Sequence, residues 1–325
     1  MQTATTSNAE PRPSSVSSYL MVFLRGVAMG AADVVPGVSG GTVAFITGIY
    51  EELLDAIKAF GGEGLKRAWA RDLRGAWRAV NGNFLVALAA GIAASIVTLS
   101  RGVLFALETY PELLWAFFVG LLVGAIWVVS RQVTRWRPQV IGAGLAGGGF
   151  AFAVVSATPS ETPESLPFVF LTGVVGISAM ILPGISGSFI LVLFGKYEFI
   201  LGAVKAAQLD VLAAFAAGCG LGLLGFSHAL AWLFRRYHDA TVAAITGFLI
   251  GSMPKIWPWK HTLETYVDRH GVTKPLVQEN VSPFAYAALT GRDAVLVGAL
   301  IAAALGLVLV LGLDRLAGKR VNLQT

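Results

Sequence analysis

The sequence predicts an all-α polytopic membrane protein with two inverted-topology repeats, each a re-entrant helical hairpin plus about three transmembrane helices. The prediction rests on composition, on the length of the apolar runs and on an internal repeat. The 325-residue chain is 55% hydrophobic and 13% charged, whereas soluble domains carry about 25% charged residues. The apolar runs approach the roughly 20 residues that a helix needs to cross a bilayer, and they are 84–107, 112–130, 139–157, 211–234, 241–257 and 294–313.

The first element is a polar tail, residues 1–18, which lacks aromatic and most aliphatic residues. This composition predicts a disordered segment. The tail has no basic start followed by an apolar core, so a cleaved signal peptide is not expected. The single cysteine, Cys219, excludes an intramolecular disulfide.

The next element, residues 26–59, is repeated at 173–206. A displacement of 147 residues brings the two stretches together with 14 identities in 34 positions, where chance would give about two or three. Downstream the displacement falls to 127, because the second copy lacks a basic loop at 60–82. Each copy is predicted to cross the membrane an odd number of times, so the second copy runs upside down, as in many transporters.

The predicted boundaries follow from this repeat. The first repeat spans 19–157 and the second 158–325. Their parts are a hairpin at 19–57, the basic cytoplasmic loop 60–82, three transmembrane helices, a second hairpin at 168–206, three more transmembrane helices and an outer loop at 258–293. With a cytoplasmic N-terminus and two hairpins, 16 of the 24 basic residues fall on the cytoplasmic side. This bias predicts a multi-pass protein of the bacterial cytoplasmic membrane, and it argues against a nucleic-acid partner.

Each hairpin is broken by proline, glycine and serine, in the strings PGVSGGT and PGISGS. The serines are placed to cap a short return helix, and the glycines let a ligand approach bare amides. Because a helix N-terminus attracts phosphate, the sequence predicts a phosphate site at Ser39, Gly40, Gly41, Thr42, Ser186, Gly187 and Ser188. The hairpin tips themselves are assigned to Pro36, Gly37, Pro183 and Gly184. The plainer alternative is that these small residues only allow close helix packing.

Five charged or titratable residues are further candidates. Arg101, within the run 84–107, is predicted to attract the phosphate, or else to reach outward to the membrane surface. Proton coupling or ion pairing is assigned to Asp33, Glu51, Glu198 and His228. Their plainer alternatives are backbone pairing for Asp33, interfacial anchoring for the two glutamates and a neutral, hydrogen-bonded histidine.

The paired strings GIYEELLDAIK and GKYEFILGAVK, together with PGVSGGT and PGISGS, resemble the PopT family of polyprenyl-phosphate transporters over about residues 20–315. The resemblance implies a lipid substrate, undecaprenyl phosphate, which is returned to the cytoplasmic leaflet for cell-wall and glycan synthesis. The second copy departs from the pattern, since Met180 replaces the acid of the first copy and Ser188-Phe189 replace Gly-Thr.

Other functions remain open at this level. A secondary transporter of a small soluble anion would use paired helix ends equally well. An enzyme is not expected, because the four histidines form no metal-binding motif such as H-E-x-x-H; no cofactor and no metal are predicted. The loop 60–82 reads as a surface helix on anionic membrane lipids, or as a solvated topology signal. The sequence leaves a homo-oligomer open.

Overall fold

The computed structural model describes residues 16–33, 39–160, 162–267 and 273–321. Within them the chain is helical except for one small sheet. In chain order the elements are α1 (Val16–Asp33), α2 (Gly40–Ile46), α3 (Tyr50–Phe60), α4 (Glu63–Trp69), α5 (Leu73–Ala79), α6 (Gly82–Thr98), α7 (Ser100–Thr109), α8 (Pro111–Ser130), α9 (Pro138–Ser156), α10 (Leu166–Ile181), α11 (Gly187–Leu193), α12 (Tyr197–Lys205), α13 (Leu209–Arg236), α14 (His238–Ser252), β1 (Lys260–Val267), β2 (Thr273–Asn280), α15 (Pro283–Thr290) and α16 (Leu296–Val321).

Four of the described helices are long and apolar enough to cross a membrane: α8, α9, α13 and the part of α16 at Leu296–Arg315. Two further pairs pass the same test together but are sharply bent, α5 with α6 by 64° and α11 with α12 by 102°. The prediction of a mainly helical, multi-pass membrane protein is therefore confirmed.

Two predicted runs are divided in the structure. The run 84–107 is interrupted at Leu99, so Arg101 lies on α7 and not in the middle of a long helix. The run 241–257 forms the 15-residue α14 and then a single 3₁₀ turn, Met253–Ile256. Pro254 lies in that turn, and proline lacks the amide that would continue an α-helix.

The helices pack in pairs that repeat between the two copies. α1 lies along α6 as α10 lies along α13, and α8 lies along α16 as α14 lies along α9. The closest approaches correspond residue by residue: a Cβ on Gly91 would lie 2.1 Å from the carbonyl oxygen of Phe23, and one on Gly218 would lie 2.1 Å from that of Phe170. Glycine at these positions lets the helix backbones touch.

The segment after α14 is more structured than the outer loop that the sequence predicts. β1 and β2 form an antiparallel pair, and α15 follows. Trp259 ties this segment to the start of α16, because its Nε1 donates a hydrogen bond to the carbonyl oxygen of Ala294 at 2.9 Å. The Tyr286 hydroxyl contacts the buried Glu112 carboxylate of α8 at 2.5 Å. The basic loop 60–82 is likewise folded, as the two short helices α4 and α5.

Candidate functional site

The first helix break lies between α1 and α2. The amides at the start of α2 are already hydrogen-bonded within the protein. Ser39 is the N-cap of α2, as predicted, and its Oγ accepts a hydrogen bond from the Gly41 amide at 3.1 Å. The Asp33 carboxylate accepts the amide of Gly40 at 2.7 Å, and the Thr42 amide bonds to the Ser39 carbonyl. All three leading amides of α2 therefore have partners. Pro36 and Gly37, the predicted tip residues, lie outside the described residues.

The second break, between α10 and α11, repeats the cap but not the acid. Ser186 caps α11, with its Oγ accepting from the Phe189 amide at 3.2 Å and lying 2.9 Å from the Ser188 hydroxyl. Met180 stands where the first copy has Asp33. Among the described residues, the amides of Gly187 and Ser188 donate no hydrogen bond.

The tip of the second break is a turn that requires glycine. Gly184 adopts φ +102° directly after the buried Pro183, a conformation that residues with a Cβ rarely adopt. A Cβ at Gly184 would also lie 2.7 Å from the Ser252 Oγ of α14. Glycine is therefore required at this turn.

The two breaks contact each other directly. The Ser39 hydroxyl donates to the Met180 carbonyl at 3.3 Å, and the Tyr50 hydroxyl donates to the Ile181 carbonyl at 2.9 Å. Both acceptors belong to the last turn of α10, whose final carbonyls have no partner within the helix. The first break therefore closes the end of the helix that leads into the second.

In each copy, hydrogen bonds link the segments on either side of the broken element. Before α10, the Ser160 amide bonds to the Leu193 carbonyl at the end of α11. In the first copy, Asn83 contacts Tyr19 near the start of α1, while Asn81 bonds to Glu52 at the start of α3. In each copy the chain before the break thus lies near the chain that follows the short return helix.

A cavity of about 330 Å³ lies against the two breaks. The first break contributes Ser39 and Thr42 to its wall and the second contributes Gly184. The remaining wall comes mainly from apolar side chains of α1, α2, α8 and α16, among them Ala28, Val43, Phe117, Phe118, Leu121 and Leu309. Two more hydroxyls, on Thr47 and Ser252, bond back to carbonyls of their own helices. We call this space the central cavity; its wall suits a hydrocarbon chain.

The structure does not bring all the predicted phosphate ligands into this cavity. Ser186, Gly187 and Ser188 are not part of its lining, and Ser188 is exposed. The contributions of α8 and α16 could not be read from the sequence. Both helices are apolar all round, so no polar face marks which side meets a cavity.

The predicted charged residues lie at several places. Arg101 is exposed on α7, two residues before Val103, which lines the central cavity. His228 has its Nδ1 2.8 Å from the Leu224 carbonyl, so it is bonded within its own helix. Glu51 is exposed in the first turn of α3, and Glu198 is half-buried in the first turn of α12. Asp33 contacts the first helix break through its bond with the Gly40 amide.

Comparisons with known proteins agree on one family. A family model described as undecaprenyl phosphate translocase-like matches residues 29–274, which include both breaks. A polyprenyl-phosphate transporter of Vibrio cholerae serotype O1 is 46% identical over 302 residues, covering 93% of this chain and 98% of that protein. A polyprenyl-phosphate transporter of Staphylococcus aureus is 28% identical over 254 residues, covering 73% of this chain and 85% of that protein. No solved structure matches the chain.

Proposed function

This chain belongs to the undecaprenyl phosphate translocase-like family, and from that premise we propose that it moves a polyprenyl phosphate across the bacterial cytoplasmic membrane. The lipid carrier is collected at the outer leaflet and returned to the cytoplasmic leaflet, as a flippase would do. The N-terminus lies in the cytoplasm, in keeping with the bias of basic residues.

The apolar wall of the central cavity is the observation that carries this proposal. A prenyl chain is hydrocarbon, and contact with aliphatic and aromatic side chains costs it nothing in lost hydration. A small soluble anion would instead need polar partners for each of its oxygens, because an unpaired charge in an apolar site is strongly disfavoured. The cavity therefore favours a lipid phosphate over a soluble anion.

The phosphate is proposed to bind at the breaks, at the edge of the central cavity. The second break offers the amides of Gly187 and Ser188, which are the first donors of α11. The first break offers the Thr42 hydroxyl at rest, and the Ser39 hydroxyl once its bond to the Met180 carbonyl opens. Its Gly40 amide becomes available once a phosphate displaces Asp33, whose carboxylate holds that amide as an anion would, and its Gly41 amide becomes available once the phosphate displaces the Ser39 hydroxyl oxygen. Ser186 completes the set, and Arg101 attracts the headgroup from the surface.

Transport is proposed to follow from two inverted copies that rock against each other. The correspondence of helix pairs and of glycine contacts between the copies supports a repeat of structure as well as of sequence. In this arrangement the first hairpin enters from the cytoplasmic side and the second from the outer side. Asp33 is the best placed to couple protons, because it contacts the first break; Glu51, Glu198 and His228 are the other candidates.

The two short helices α4 and α5 are proposed to rest on anionic lipids at the cytoplasmic surface. They expose Trp69, Leu73 and Trp77 beside basic residues. Aromatic and basic side chains together are typical of an interfacial helix. A homo-oligomer stays open.

A reconstituted transport assay tests the function. Vesicles containing the full chain and a fluorescent polyprenyl phosphate should show protein-dependent exchange between leaflets, measured as the fraction open to an external quencher. The double variant Ser39→Ala with Arg101→Ala should slow exchange at least tenfold at equal protein content. Competition by millimolar inorganic phosphate as strong as that by unlabelled lipid phosphate would favour a soluble-anion transporter. An unchanged rate in the double variant would refute the assigned residues.

A further inference from the structure

A second cavity lies apart from the central one, between the end of α9, the return helix α11 and the β1–β2 pair. Its volume is about 340 Å³, and we call it the lysine cavity. Polar groups make up much of its wall, unlike the central cavity. Its wall includes Lys255, Lys260, Phe189, Gln278 and Asn280.

Two half-buried lysines, Lys255 and Lys260, face this space. The Lys255 ammonium lies 4.1 Å from the centre of the Phe189 ring on α11. The Lys260 ammonium lies 5.0 Å from the Trp115 ring on α8 and donates to the Lys255 carbonyl oxygen at 2.6 Å. Aromatic faces attract cations, so both ammoniums are held in place by rings and backbone, not by an acid.

The lysine cavity lacks the countercharge that buried cations normally have. Among the described residues, no carboxylate forms an ion pair with Lys255 or Lys260; Glu279 on β2 pairs with His261 instead. Burial, together with the positive charge of Lys255, lowers the pKa of Lys260 to about 7. Two like charges that share a cavity without an acid are unfavourable unless an anion joins them.

We propose that the lysine cavity is a docking site for a phosphate monoester. The inference rests on the proposed function for the source of that ligand, the headgroup of a polyprenyl phosphate in the outer leaflet. Gln278 and Asn280 add polar groups to the wall, and an ammonium binds phosphate oxygens through charge-assisted hydrogen bonds.

The lysine cavity adjoins the central cavity, and its proposed role is to bind the headgroup before the headgroup reaches the helix breaks. The 3₁₀ turn after α14 separates the two spaces: Pro254 and Lys255 line the lysine cavity, while Ser252 and Ile256 line the central cavity. α11, which carries Phe189, belongs to the second break itself. A headgroup that moved past this turn would therefore reach the breaks, with its chain still in lipid.

Binding of short, water-soluble probes tests the site without transport. The full chain in phosphatidylcholine nanodiscs is titrated calorimetrically with dimethylallyl phosphate, inorganic phosphate and the neutral alcohol prenol. Both phosphates should bind, and the double variant Lys255→Met with Lys260→Met should weaken their binding at least tenfold. Lys255→Arg with Lys260→Arg should retain it. The matched control Arg292→Met removes an exposed cation at the same end of the molecule and should change affinity less than twofold.

The outcomes separate this inference from the proposed function. Unchanged phosphate affinity in the methionine double variant, or prenol binding as tight as phosphate binding, would overturn the docking site. Equal lysine-dependent binding of the two phosphates would support the docking site. It would also show that the site recognises the phosphate group alone, whether on a lipid or free. If the protein binds phosphate through the lysines but does not move lipid, the proposed transport function is refuted and the docking site stands. Wild-type transport and binding in the methionine variant would refute the site alone.

Discussion

The two helix breaks share a backbone plan and differ in how each helix end is closed. Both use a serine N-cap, Ser39 and Ser186, at equivalent positions. The first break adds Asp33, which takes up the leading amide of α2. The second has Met180 at that position and leaves the first two amides of α11, those of Gly187 and Ser188, without a partner in the described structure. The repeat therefore preserved the helix end, whereas its chemistry diverged.

This difference assigns separate tasks to the two breaks. The first is satisfied internally and bonds to the last carbonyls of α10 through Ser39 and Tyr50, so it acts as a support. The second keeps donors available and borders the lysine cavity through Phe189. We therefore expect ligand-dependent effects to concentrate at the second break and stability effects at the first.

The largest expected effect comes from giving the second break the acid of the first. Met180→Asp should let a carboxylate reach the Gly187 amide, as Asp33 reaches Gly40, and should also repel a phosphate. Lipid exchange in reconstituted vesicles should fall at least tenfold, which corresponds to about 1.4 kcal/mol. Met180→Leu, which keeps the size and adds no charge, should exchange at nearly the wild-type rate. Full activity of the aspartate variant would mean that the α11 amides take no part in binding.

A Cβ at the contact between the breaks should have the next largest effect. A Cβ on Gly41 would lie 2.8 Å from the Ile181 carbonyl oxygen, so Gly41→Ala should force the breaks apart and destabilise the protein by about 1–3 kcal/mol. Its counterpart in the second copy is Ser188, which already has a Cβ. Ser188→Ala should therefore leave the melting temperature in detergent nearly unchanged, and so should Gly220→Ala, where a Cβ meets nothing within 4 Å. Equal losses in all three variants would deny any special contact at Gly41.

The tyrosines that follow the breaks offer a finer comparison. Tyr50 is buried and bonds across to Ile181, whereas its counterpart Tyr197 has no hydrogen bond among those of the described residues. Tyr50→Phe should cost about 1 kcal/mol, or roughly 1–2 °C in melting temperature for a chain of this size. Tyr197→Phe should cost nothing measurable. A larger loss for Tyr197→Phe would reverse the assignment of the first break as the support.

The last comparison concerns pH at the lysine cavity, which the second break borders. The pKa of Lys260, about 7 in the fold, lies below its ordinary 10.5. Between these values the unfolded chain binds more protons, so the unfolding free energy should rise with pH. The charged groups around Lys260 are Lys255 in the 3₁₀ turn and the His261–Glu279 pair on the strands; α8 presents Trp115.

Lys260→Met isolates this effect. Relative to wild type, the variant should melt roughly 1–3 °C higher at pH 7, and the gain should shrink toward pH 10, where wild-type Lys260 is neutral in the fold. A gain that is constant across this range would mean that the ammonium carries no penalty of burial.

The sequence was sufficient to predict the two helix breaks and insufficient to predict the cavities around them. The duplicated serines predicted both N-caps, because capping is a local signal. Backbone pairing of Asp33 was one of the alternatives left open, but its partner Gly40 was not predicted, since the bond spans seven residues. Nor were the cavity walls, because α8 and α16 are apolar on every face and the lysines become a pair only through the turn after α14.

The central claim is that a polyprenyl phosphate binds with its headgroup at the meeting point of the two breaks. A structure determined by electron cryo-microscopy with a bound polyprenyl phosphate tests it most directly. The account predicts chain density along Phe117 and Leu121 in the central cavity, and phosphate density within hydrogen-bonding distance of the Gly187 and Ser188 amides or the Ser39 hydroxyl. Phosphate density that touches neither break, in a structure where Ser39 and Met180 are apart, would contradict it.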